Sequence, residues 1–153
     1  MRKIMLVLAA MAMMAMMVLL SLTAMAAEND NPYCQIILTD QEARELELIL
    51  AMEAQDEPYD GQRAVVEVIF NRVLSEDYPD TVHGVLSQKG QFATWKYIDR
   101  PYNTPTEEQC DAIAETMARG PEVLPSTRYV FFCTSKRGWM HDCVKIGHHY
   151  FGK

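Results

Sequence analysis

Glu53 is the residue whose type and position most clearly promise chemistry, because it stands where a helix would carry a leucine. Ala43, Leu46, Ile49 and Leu50 recur at helical spacing, and Glu53 falls on the same stripe, three, four and seven residues beyond the last three of them. A carboxylate carried into apolar surroundings without a partner is costly, so such a group is expected to hold a proton near neutral pH. That is the profile of a general acid. The alternative is an acid that pairs with a cation and only ties helices together. Four residues on, Glu57 precedes Pro58, which places it off this helix and near the start of the next. Unpaired N–H groups there favour a negative charge, so Glu57 is expected to stay ionised.

A second set of chemistry-bearing residues, His141, Cys143, His148 and His149, lies further along the chain. Its spacing does not suit a metal. Adjacent histidines on a strand point to opposite faces, and no H-E-x-x-H or C-x-x-C unit is present. Neither a catalytic metal nor any other cofactor is expected. A Cys–His nucleophile is disfavoured by the even set of cysteines, Cys34, Cys110, Cys133 and Cys143, in a chain that reads as exported. The expected pairing is Cys133–Cys143, closing a short loop between two strand-like runs, with Cys34–Cys110 tying the start of the domain to a later helix.

The elements that must position Glu53 are legible in outline. Thr39-Asp40-Gln41-Glu42 is a capping box that starts the first helix, which must stop before Pro58. A second helix takes Pro58 in its first turn and runs to Val73, with Arg72 on the inner stripe beside Val65, Val68 and Ile69. An inward Arg needs a carboxylate, Glu57 or another. Residues 75–80 read as a turn. Gln91, Phe92, Trp95, Tyr97 and Tyr102 then crowd into an aperiodic aromatic loop, which either offers ring faces to sugars or covers a satellite apolar cluster. Thr104-Pro105-Thr106-Glu107 opens a third helix with Cys110, Ile113, Ala114 and Met117 as its stripe, ended by Gly120 and Pro121. Strand-like runs at 128–133 and 143–147 predict a small hairpin across residues 134–142. The sum is an α+β domain, mainly α.

The 153-residue chain opens with Met1-Arg2-Lys3, an apolar run from Ile4 to Leu20 and Ala24-Met25-Ala26, the pattern of a cleaved signal peptide over residues 1–26. Residues 27–153 would then form one secreted domain with no stable membrane insertion, expected as a monomer. Loss of Arg2 and Lys3 moves the net charge from −7 to −9. No basic face is evident, so nucleic acid is not an expected partner.

The stretch from Ala51 to Val73, AMEAQDEPYDGQRAVVEVIFNRV, resembles the signature of the SleB-type cell wall hydrolases, whose pattern is roughly E-A-x-x-E-x-x-x-G-x-x-A-V followed by V-I-x-N-R-V. The similarity continues through Tyr78-Pro79-Asp80-Thr81-Val82, Gln91-Phe92 and Ile146-Gly147-His148-His149-Tyr150-Phe151. Two departures stand out. Gln55-Asp56 replaces the family's usual Arg-Gly, and the chain between Phe92 and Thr104 is unlike the usual version. The resemblance implies a lysozyme-like fold and cleavage of peptidoglycan glycan strands between muramic acid and glucosamine, usually by lytic transglycosylation with one catalytic Glu, matched here by Glu53. It also implies supporting positions at Glu57, Asn71 and Arg72 and cleft contacts at Gln91 and Phe92, to which the aromatic loop adds Trp95 and Tyr102. A true muramidase and a non-enzymatic wall-binding module are the alternatives.

Overall fold

The capping box at Thr39 starts the first helix as the sequence requires: the Thr39 hydroxyl accepts from the Glu42 amide at 3.2 Å and the Thr39 amide donates to the Glu42 carboxylate at 3.0 Å. In the computed structural model, which describes residues 30–100 and 103–153, this helix, α1, spans Asp40–Glu53. The stretch read as an export signal lies outside the described residues, as does Tyr102. Residues Asn31–Lys153 form one compact unit.

Helix α2, Tyr59–Val73, is enclosed along nearly its whole length, with Val65, Val66, Val68, Ile69 and Phe70 fully buried. Pro58 stands at its N-cap rather than within the first turn. A short helix α3, Val82–Ser87, packs over α1 and α2, held to α1 by the His83 amide donating to Glu42 at 3.3 Å. Helix α4, Glu107–Arg119, begins two residues later than expected, because Thr106 and Gln109 form the capping box and Pro105 precedes it. Its buried stripe is Gln109, Ala112, Ile113 and Thr116, and Ala114 is exposed. The stripe turns toward α2, where Gln62 and Arg63 reach Glu108 and Thr116.

The strands are β1 Phe131–Cys133, β2 Val144–Ile146 and β3 His149–Gly152, in the antiparallel order β1-β3-β2. The hairpin expected between the first two does not form. Instead β2 turns through Gly147 into β3, and β3 inserts between β2 and β1. Phe132, His149 and Phe151 face the helices, with Phe151 fully buried against Phe132.

Neither expected disulfide forms; all four cysteines are thiols. Cys133 and the residue before β2, Cys143, are separated by β3, and two ladder spacings of about 4.8 Å put them beyond the roughly 7 Å that a bridge can span. Met140 lies beside both thiols: the Cys133 Sγ is 3.5 Å from its sulfur and the Cys143 Sγ 3.6 Å from its carbonyl. The amino-terminal turn is tied to α4 as expected, but by Asn31 Nδ2 donating to the Met117 carbonyl at 2.7 Å. That contact lies seven residues from Cys110, about 10 Å along the helix.

Candidate active site

Glu53 is the last residue of α1. Its carboxyl is half-buried rather than enclosed in the core, and accepts a hydrogen bond from the Thr94 hydroxyl. The expectation of an acid sealed in apolar surroundings is therefore corrected. Beside it lies a cavity of about 540 Å³ lined by Ala51, Met52, Gln55, Thr94, Tyr97 and Gln109 among others, within the range of about 300–1,000 Å³ that small-ligand sites occupy. Thr94 was not foreseen, although it lies inside the aromatic loop that was.

Two buried acids, Glu57 and Glu67, are committed to other partners. Glu57 is 8% exposed, and its Oε2 accepts from the His148 amide at 2.9 Å. Its Oε1 lies 3.2 Å from the His148 Nδ1 and 3.6 Å from the Nδ1 of the buried His149. Glu57 thus holds the β2–β3 turn. Gly147 in that turn has φ +57°, and a Cβ there would collide with the Glu57 carboxylate and stand 2.6 Å from the Pro58 Cδ. The fully buried acid is Glu67, which sequence reasoning passed over. Burial raises its pKa, opposed by amides of Val123, Leu124 and Glu122 donating at 2.8, 2.8 and 2.9 Å and by the nearby Arg63. It fixes the segment after α4.

Asn71 and Arg72 serve the far end of α2. Asn71, 1% exposed, accepts from the Tyr33 hydroxyl at 2.7 Å and donates to the Tyr129 carbonyl at 2.9 Å. Burial drives the Tyr33 phenol far above its ordinary pKa, with the Glu67 charge acting the same way. Arg72 makes no ion pair with Glu57. Its Nε donates to the Val130 carbonyl at 2.7 Å, and its guanidinium lies over the rings of Tyr78 and Phe92, 5.3 and 5.4 Å from their centroids. Two aromatic faces and a carbonyl replace the expected carboxylate, and burial lowers the Arg72 pKa.

The expected sugar contacts do not converge. Gln91 lines a second cavity of about 710 Å³ with Tyr78, Gln88, Arg128 and Phe131. Phe92 is 5% exposed and belongs to the core, against Phe132 at 6.0 Å. Trp95 packs edge-on to His83 at 5.5 Å and lines a third cavity with Arg44 and Leu48. Turns and a 3₁₀ segment at Trp95–Tyr97 send successive side chains in different directions.

A mostly helical domain with a three-stranded sheet and an open acid at the end of its first long helix defines a lysozyme-like class. Residues 56–152 match the family model described as cell wall hydrolase, and the chain belongs to that family. Glu53 lies just ahead of the matched residues. The spore cortex-lytic enzyme of Bacillus cereus is 37% identical over 105 residues, covering 66% of this chain and 40% of that protein. That of Halalkalibacterium halodurans is 34% identical over 102 residues, covering 65% and 31%. The chain thus spans less than half the length of these relatives. The catalytic domain of the germination-specific lytic transglycosylase SleB from Bacillus anthracis superposes with a TM-score of 0.62 at 28% identity, covering 76% of this chain and 97% of that one. The B. cereus SleB catalytic domain gives 0.60 and 28%, covering 77% and 95%. The fold is that of the SleB catalytic domain.

Proposed function

We propose that the protein cleaves peptidoglycan glycan strands between N-acetylmuramic acid and N-acetylglucosamine as a lytic transglycosylase, with Glu53 as its single catalytic acid. The observation that carries this reading is the contrast between the acids. Glu53 is half-buried with the Thr94 hydroxyl, a residue lining the neighbouring cavity, as its partner, whereas Glu57 and Glu67 are buried and spent on backbone amides. A glycan strand laid over Glu53 would exclude water from that acid. Glu53 then protonates the glycosidic oxygen as the bond to the anomeric carbon breaks. The resulting carboxylate takes the proton of the muramic C6 hydroxyl, whose oxygen forms the new bond to that carbon, and the acid is restored.

Hydrolysis by water ordinarily uses a second carboxylate about 5–9.5 Å from the first. Glu57, the nearest acid in sequence that is not directed to solvent, is engaged with His148 and His149, which favours the one-acid route. Glu57 supports the site by fixing the β2–β3 turn. The apolar amino-terminal segment supports export, and the domain acts as a monomer.

The test is mass spectrometry of the fragments released from purified peptidoglycan. Wild type is expected to give products one water lighter than hydrolysis fragments, with an anhydro-muramic end, and Glu53→Gln none while still binding the wall. Unchanged cleavage by Glu53→Gln would overturn the assignment, and reducing ends without the loss of water would favour a muramidase.

A further inference from the structure

The negative charge of the chain is not spread evenly. Residues 30–125 carry 19 Asp and Glu against 7 Lys and Arg, whereas residues 126–153 carry Arg128, Lys136, Arg137, Lys145 and Lys153 against Asp142 alone. Of these cations, Lys145 lies on the sheet itself and Lys136 and Arg137 on the connection between β1 and β2. Side chains alternate along strands, and since Phe132, His149 and Phe151 face the helices, Phe131, Lys145 and Tyr150 face outward. On that outward face Lys145 Nζ lies 5.4 Å over the Tyr150 ring. Trp139 folds from the β1–β2 connection edge-on against Phe131 at 4.9 Å and remains 57% exposed. Lys136 and Arg137 on the same connection are exposed and, among the described residues, neither is joined to a carboxylate by a salt bridge. Phe131 also lines the 710 Å³ cavity with Arg128 and Gln91, so the face runs on into a concave surface.

We infer that this outward sheet face binds the wall glycan through the carboxylates of its peptide stems, with Lys136 and Arg137 meeting the carboxylates and Trp139 a sugar ring. This rests on the wall-cleaving function proposed above and names a second contact for the same substrate. The pairing of cations with an exposed aromatic selects the ligand. A polyol-phosphate chain would satisfy the lysine and arginine but offers no flat ring to Trp139, whereas a sugar strand with carboxylate branches satisfies both. Glu57 links the two regions, since it anchors the turn between β2 and β3 and lies four residues from Glu53.

The experiment is binding of the protein, in the Glu53→Gln background, to wall glycan immobilised on beads in three forms: with teichoic acid, freed of teichoic acid, and freed of it and then stripped of peptide stems by an amidase. Binding to the intact glycan freed of teichoic acid is expected to fall steeply with added NaCl. Lys136→Glu with Arg137→Glu should weaken it about tenfold, and Trp139→Ala should weaken it with little change in salt dependence. On the stripped strands, wild type and the double variant should bind alike. Equal binding of wild type to intact and stripped glycan, an unaltered double variant, or retention only when teichoic acid is present would each overturn the inference. Separately, the double variant with Glu53 restored should cleave stripped strands at the wild-type rate. Absence of Glu53-dependent cleavage there would count against the proposed activity while leaving the binding comparison intact.

Discussion

Replacing Gly147 by alanine tests the architecture that joins the sheet to the helices. Two separate costs meet at this position. Its φ of +57° is left-handed, which costs an L-residue about 1–2 kcal/mol. An added Cβ would also stand 2.6 Å from the Pro58 Cδ and 3.0 Å from the Glu57 Cδ, in a place the carboxylate already fills. Overpacking of that kind costs about 1–3 kcal/mol. Gly147→Ala should therefore lose about 2–5 kcal/mol. Gly90 supplies the control for the backbone alone: its φ is +84° and a Cβ there meets nothing within 4 Å, so Gly90→Ala should lose about 1 kcal/mol. Gly138 has neither cost, and Gly138→Ala should stay within about 0.5 kcal/mol of wild type. Urea unfolding of the three variants, compared at equal m-values, gives the differences directly. If Gly147→Ala is no less stable than Gly90→Ala, Glu57 does not occupy the space beneath the turn and the account of that carboxylate as its anchor is wrong.

Glu67→Gln should cost about 1–3 kcal/mol, since an NH₂ group would face a buried amide where a carboxylate oxygen now accepts. Because burial raises the Glu67 pKa in the folded protein, wild-type stability should decline as pH rises from about 4.3 through the raised value, and this decline should be absent in the variant. Glu42 has the opposite sign: burial works upward, but hydrogen bonds from the Thr39 amide and hydroxyl and the His83 amide outweigh it and hold the pKa low. It contributes stability above about 4.3 that is lost as pH falls through the lowered folded value, and Glu42→Gln should flatten that acid limb in denaturant titrations.

Local signals carried the helices and failed where partners were distant. The capping box at Thr39 and the stop at Gly120 are readable because each involves residues a few positions apart. The helix expected to open at Thr104 opens instead at Thr106, because Gln109 completes the capping box there. The stripe pointed Glu53 inward, but at the last residue of the helix that acid is only half-buried. The sheet order was not legible, because strands of three and four residues choose neighbours by long-range packing, and with it went the Cys133–Cys143 pairing. Arg72 was rightly placed inside, but its partners, Val130 and two rings, come from segments whose positions the sequence does not fix. Averaging the charge over the chain hid the basic segment at residues 126–153.

The strand order β1-β3-β2 has a consequence for timing. The central strand is the third in sequence, so β1 and β2 each lack a neighbour until residues 149–152 are available. The His148 amide that engages Glu57 arrives 91 residues after it. Contacts that close so long a loop form late in folding. A chain emerging amino-terminus first would have α1 and α2 free of the ribosome well before the β2–β3 turn could engage Glu57, so the sheet and its brace on the helices close only after nearly the whole domain has emerged.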